Sequence, residues 1–349
     1  MTFQDALAKP RAVVAASDGR VRAWALLTAA LVFAMVMVGG ATRLTESGLS
    51  ITEWKPVTGV VPPLNIADWQ AEFARYKEIP QFAKMNADMT LEGFKTIYWW
   101  EWSHRLLARV LGVVFVLPAL AFWVTGRLRG ALGARIALAT ALLALEPIVG
   151  WWMVASGLSE RTEVAQDRLA LHLLIAAAVF ATLIYAAVGM TERMTRPGAR
   201  RFVTVAHVFV GLVFLQLGLG ALVAGLRAGL IYNTWPLMDG RWIPTGLFAL
   251  RPAIRSALDD VTTVQFDHRM IAYAVVAFAL AQAFAARSFG GGMARRAWVL
   301  AGAALLQAAL GIVTLVWIAP LPVALLHQAF ALILFGLAAA HASATRQEA

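Results

Sequence analysis

Six histidines stand in a chain that has no cysteine, and four of them share a pattern. His104 lies in YWWEWSHRLLAR (98–109), His268 in VQFDHRMIAY (264–273), His172 in LALHLL and His327 in LLHQAF, each near the start of a long apolar stretch. Neutral imidazole is a common axial ligand of haem iron. Two histidines from different helices of a four-helix bundle suit a flat macrocycle standing between them. His104 with His172 would make one such site, and His268 with His327 another. Any one of them alone reads equally as a satisfied core histidine; four at matched depth, two in each half, favour ligation. A zinc or di-iron centre is the competing reading, but it needs several inward carboxylates. Glu-x-x-His occurs once, at Glu101 and His104, and its counterpart is Gln265 before His268.

Residues three apart share a helix face, so Glu101 points towards whatever His104 binds. Desolvation and neighbouring charges can tune such a carboxyl for general-base work. The alternative is a carboxylate serving the helix dipole or Arg105. Arg105 and Arg269 follow two of the histidines and are candidates for haem propionates, or else anchors at the membrane interface. Glu146-Pro147 places an acid and a kink inside an apolar run, as a proton or water route or as a protonated, hydrogen-bonded acid. Trp99, Trp100, Trp151 and Trp152 read as interfacial belt. His207 and His341 fall at the opposite end of their spans and read as structural.

The elements that must hold these residues are transmembrane helices. The 349 residues are 60% hydrophobic and 14% charged, against roughly 25% charged in a soluble domain. Eight apolar runs, at about 24–42, 106–125, 136–157, 169–190, 202–226, 270–287, 297–318 and 322–342, approach or exceed the ~20 residues that cross a hydrocarbon core. Only helices or closed barrels satisfy their backbone in lipid, and barrel strands would alternate at half this length. The class is therefore an all-α polytopic membrane protein. No clear cleavage site follows the first run, so it reads as a retained anchor. The missing cysteines exclude disulfides, thiolate metal sites and thiol redox chemistry, which leaves redox work to a bound cofactor.

A net charge of +10 invites a nucleic-acid partner, but its distribution argues for lipid. Fifteen of the 30 basic residues fall in the N-terminal tail, the 126–135, 191–201 and 287–296 loops and Arg346, opposed there by only four acids. That bias is the positive-inside pattern and predicts both termini in the cytoplasm, with the basic face on anionic lipid.

The chain also repeats. An offset of 181 pairs Val32 with Val213, Gly39 with Gly220, Trp54 with Trp235 and Gly59 with Gly240, while shorter offsets pair His104 with His268 and His172 with His327. Gly150 and Gly311 also correspond, with Glu146 matched by Gln307. Four spans per half give both halves one orientation, hence two four-helix bundles about a pseudo-two-fold axis along the membrane normal. The expected organisation is a tail (1–23), an N-terminal half (24–190) with an outer loop at 43–97, and a linker (191–201). A C-terminal half (202–342) with an outer loop at 227–262 and a short tail (343–349) complete it. Loops this long are usually functional or disordered, and five tryptophans between 54 and 102 favour an ordered cap.

Taken together, GGATRLTESGLSITEWKPVTGVVPP, EWSHRLLAR, LALHLL, YNTWPLMDG, QFDHRMIAY and LLHQAF resemble the haem A synthase family, in its cysteine-free subgroup shared by mitochondria and Gram-negative bacteria. The resemblance spans about 24–342. It implies an eight-span enzyme of the inner membrane that oxidises the C8 methyl of haem O to the formyl of haem A. It further implies haem b between His268 and His327, the substrate haem against His104 and His172, and Glu101 as the essential acid, stabilising charge or deprotonating water. A haem O synthase is the implied partner, beside an electron acceptor that the sequence does not identify; a homo-oligomer is left open. Two other classes use the same histidines: a di-haem b-type electron-transfer protein and a haem carrier without turnover. The first gives no reason for the Glu101/Gln265 difference; the second is favoured by the parallel repeat and the large outer loops.

Overall fold

The computed structural model describes residues 18–191 and 199–349; the first 17 residues of the tail and most of the linker lie outside the described residues. The described residues form eleven α-helices and no strand: Gly19–Leu44 (α1), Ile66–Lys77 (α2), Pro80–Met85 (α3), Leu91–Val124 (α4), Gly130–Ala155 (α5), Gln166–Gly189 (α6), Ala199–Gly225 (α7), Ala253–Asp259 (α8), Val261–Ala286 (α9), Gly291–Val316 (α10) and Leu321–Glu348 (α11). All but α2, α3 and α8 are long and apolar enough to cross a membrane. This is a multi-pass α-helical membrane protein.

Several helices outrun their apolar windows. α4 begins at Leu91, well before the apolar run near 106, and α9 at Val261 instead of near 270. Lipid requires the apolar window, but hydrogen-bonded caps let the helix continue beyond it. Thr90 accepts from the amide of Gly93 at 3.2 Å, and Asp260 from that of Thr263 at 2.8 Å. His104 and His268 therefore lie deeper within their helices than the apolar runs indicate.

The first long loop is a folded cap. Leu49, Ile51, Trp69, Phe73, Tyr76, Ile79, Phe94 and Tyr98 bury one another there, apart from the main core. The Phe73 and Phe94 rings stack at 5.0 Å, and Trp69 meets Tyr98 edge-on at 5.0 Å. α2 contributes one amphipathic face to this core, its N-terminus closed by Asn65, which accepts from the amide of Asp68 at 2.9 Å.

Within the membrane α1 packs against α4 and α6, and α5 against α6. In the second part of the chain α7 packs against α9 and α11, and α10 lies between α9 and α11. α6, α7 and α11 meet at the centre, and α1 reaches α11. The correspondence fails in one place. α9 lies along α10, whereas α4 and α5 meet only over a short stretch.

Where the two parts meet, four charges interlock. Arg43 donates to Glu163 at 2.6 Å and to the carbonyls of Ala224 and Gly225 at 3.1 and 3.2 Å. Arg227 pairs with Glu46 at 2.5 Å and with the other oxygen of Glu163. Breaking a well-buried pair costs about 3–5 kcal/mol and an exposed one about 0–1; this cluster is partly solvated. Glu163→Ala is expected to cost about 1–2 kcal/mol, read as a lower unfolding temperature in detergent, with Arg255→Ala, an exposed residue of α8, as the neutral comparison.

Candidate haem-ligand site

Each of the four candidate ligands is pressed against a glycine of the preceding long helix. A Cβ built on Gly39 of α1 would come within 3.0 Å of the His104 ring, and one on Gly150 of α5 within 3.1 Å of His172. Gly220 of α7 stands in the same relation to His268 at 3.2 Å, and Gly311 of α10 to His327 at 2.9 Å. A residue without a side chain lets each imidazole lie this close to the neighbouring helix without displacement. His104 and His172 lie within electrostatic range of each other, as do His268 and His327. The structure thus brings the histidines together in the two pairs expected.

One helical turn before three of these glycines stands a polar side chain that holds the same histidine. Gln216 places its amide nitrogen 3.1 Å from Nδ1 of His268 and 3.4 Å from Nε2, and donates to the His268 carbonyl at 3.0 Å. Gln307 does the same at His327, 3.1 Å from Nδ1 and 3.0 Å from the carbonyl. The Glu146 carboxylate lies against Nδ1 of His172 and has no other partner among the described residues. Sequence reasoning missed Gln216; the signal was there, because Gln216 precedes Gly220 by the interval that separates Glu146 from Gly150 and Gln307 from Gly311.

Glu101 is buried, at 3% exposure, and both of its oxygens are engaged. One accepts from Arg105 Nη2 at 2.6 Å and Nε at 3.1 Å; the other accepts from the Ser50 hydroxyl and the Ile51 amide, both at 2.8 Å. Four donors on one group fit a carboxylate. Gln265 plays the mirrored part: its amide donates to the carbonyls of Ala228, at 2.8 Å, and Ile231. Both residues tie the first turn of an outer loop to the helix that carries a histidine. The arginines extend this. Arg105 donates to the Ile51 and Glu53 carbonyls, each at 2.8 Å, and Arg269 to those of Tyr232 and Thr234 at 2.7 and 3.0 Å. These guanidinium groups are engaged with loop backbone.

A cavity of about 560 Å³ opens between the cap and α4, lined by Ile51, Lys55, Glu72, Arg75, Tyr98, Arg105 and Arg109 among others. At its rim the Lys55 ammonium, with Arg75, holds the Glu53 carboxyl below the usual carboxylate range. Trp151 stacks on Trp54 of the loop at 5.9 Å, so part of the expected interfacial belt closes the cap instead.

Of the remaining histidines, His207 bonds to Tyr185 at 3.2 Å and to the Val203 carbonyl at 2.8 Å. His341 is buried edge-on against Phe202. Neither joins a histidine pair. The described residues contain no group of three or more acidic or histidine side chains that could hold a metal ion, which disfavours the di-metal reading. As a test of the loop anchor, Glu101→Ala should expose the 47–56 segment, with faster exchange of the Ile51 amide by mass spectrometry and faster proteolytic cleavage there. Unchanged exchange would remove the anchoring role.

Comparison with known proteins shows the family. The family model described as cytochrome oxidase assembly protein, COX15-CtaA, matches residues 22–339. A protein of Chelativorans sp. is 52% identical over 331 residues, covering 93% of this chain and 91% of its own. One of Azorhizobium caulinodans is 51% identical over 333 residues, 95% of each chain, and one of Mesorhizobium japonicum is 50% identical over 328 residues, 93% of this chain and 90% of its own. All three bear the name heme A synthase. A chain matched by this model over nearly its whole length, with relatives about half identical over more than nine-tenths of it, belongs to the COX15-CtaA family of cytochrome oxidase assembly proteins.

Proposed function

We propose that this chain is a haem A synthase, an enzyme of haem A biosynthesis that oxidises the C8 methyl of haem O to a formyl group. The observation that carries the reading is the combination of two glycine-seated histidine pairs with buried carboxylates, Glu101 and Glu146, beside the N-terminal pair, where the C-terminal pair has Gln265 and Gln307. Relatives about half identical over most of the chain bear the name of that activity.

The residues fit haem better than any other metal group. Haem needs only two axial donors from the protein, which each pair supplies, whereas a di-metal centre needs carboxylates that are missing among the described residues. His268 and His327 would hold haem b, and that group supplies one-electron redox chemistry when bound. His104 and His172 would hold the substrate haem O. Methyl to formyl gains one oxygen atom; with water as its source the conversion releases four protons and four electrons, the electrons passing to an acceptor, so charge must be stabilised near the reacting carbon. Glu101 stands one turn from His104 and supplies negative charge there; Gln265 cannot. Because the Glu101 oxygens already accept from Ser50, Ile51 and Arg105, it acts first as a fixed charge. It can take a proton from water only by releasing one of those donors, and the adjoining cavity gives water a route.

Duplication explains the layout. Arg43 bonds to the carbonyl of Ala224 and Glu46 to Arg227, and each pair stands 181 apart, the interval of the repeat. Arg105 and Arg269 grip corresponding carbonyls. Such contacts support two four-helix halves, 24–190 and 202–342, about an axis along the membrane normal. The arginine-rich ends of α1, α5 and α10 face the cytoplasm by the positive-inside rule, in a bacterial inner membrane. Haem O is too apolar to cross water freely, so a membrane haem O synthase is the natural donor.

The test is to purify the chain from cells that also make haem O, extract the haems and identify them by chromatography and mass. Haem A or its hydroxylated precursor beside haem B is the expected result. Haem B alone, with haem O unconsumed, would point to electron transfer or carriage instead. Glu101→Gln should abolish product while both haems stay bound. Ser50→Ala, which removes one loop donor and leaves the charge, should retain most of the product.

A further inference from the structure

The four histidines are not held alike. On α5, α7 and α10 the residue one turn before the glycine is Glu146, Gln216 or Gln307, and each engages its histidine. On α1 the corresponding residue, one turn before Gly39, is Met35, which cannot donate a hydrogen bond and accepts only weakly. Among the described residues His104 has no hydrogen-bond partner. A second, independent feature points the same way. α4, which carries His104, meets α5 only over a short stretch, whereas α9, which carries His268, is packed along α10.

We propose that the residue one turn before each histidine-contacting glycine sets how firmly that histidine binds iron, and that Met35 leaves His104 as the exchangeable ligand through which the substrate haem enters and product leaves. The inference rests on the haem reading above. A hydrogen-bonded partner fixes the orientation of a ligating imidazole, and losing one commonly costs tenfold or more in metal affinity. Gln216 and Gln307 lie against both C-terminal rings and donate to the carbonyls of the same histidines, which holds ring and backbone together; with iron at Nε2 the proton sits on Nδ1, and each amide then presents to it the oxygen that has no partner among the described residues. Glu146 can only accept at Nδ1 when ionised, which keeps the proton there and leaves Nε2 of His172 free for iron. The N-terminal pair then has one anchored ring and one untethered ring. That is the arrangement a site needs when its occupant is turned over.

The experiment follows haem loss from the full-length chain in detergent, loaded with haem O and haem B, to excess apomyoglobin, together with the optical and EPR spin state of each haem. Met35→Gln should slow release from the N-terminal site by about tenfold and shift its spectrum towards low-spin. Gln216→Met should speed release of the C-terminal haem by about as much and raise its high-spin fraction. Release rates and spin states within twofold of the parent chain in both variants would overturn the proposal. His172→Ala and His327→Ala are the controls for the underlying reading. If neither changes haem content or spectrum, the histidine pairs are not the haem sites, and the failure lies there and not with Met35.

Discussion

Everything in the interior turns on an imidazole lying against the backbone of a helix with no side chain at that point. An imidazole standing between helices at this distance would be crowded by a methyl group, most of all at Gly311 and less at Gly39, Gly150 and Gly220. The contact fixes the spacing of four helix pairs at the depth of the ligands. It also explains why the glycines alternate with the histidines along the chain: each ligand helix follows the helix that receives it. Interiors packed to near-crystalline density pass such a constraint on to their neighbours, and the apolar faces of α1, α6, α7 and α11 then close around it.

The outer loops answer to the same helices. Glu101 and Arg105 on α4, and Gln265 and Arg269 on α9, hold the first residues of the preceding loops through backbone groups. The cap is therefore in register with the ligand helices. A shift of α4 along its axis would move His104, the Glu101 carboxylate and the loop as one body. The Glu/Gln difference reverses the polarity of the anchor: acceptor for a hydroxyl and an amide on one side, donor to two carbonyls on the other.

Much of this was legible in the sequence. Lipid makes apolar length diagnostic, so all eight crossings could be counted, and histidine is rare enough in such segments for its repetition to stand out. The glycine pairs and the Glu146/Gln307 match were visible as well. Less could be read where partners are backbone atoms. No side-chain pattern announces that Arg105 donates to the Ile51 carbonyl. The start of α4 was set too late because hydropathy marks where lipid begins and not where the helix does. Gln216 was passed over since one glutamine in an apolar run carries no signal until its interval to Gly220 is compared with the other helices. The α4–α5 separation has no sequence mark at all.

The cluster at the centre has a mechanical consequence. Glu163, in the turn between α5 and α6, takes Arg43 at the end of α1 with one oxygen and Arg227, just beyond α7, with the other. A single carboxylate is thus the shared counter-charge of two arginines on different helices, and Glu46 relieves it at only one of them. Removing Glu163 would leave Arg43 without an acidic partner while Arg227 kept one, so the end of α1 is the part of the outer face that would loosen first.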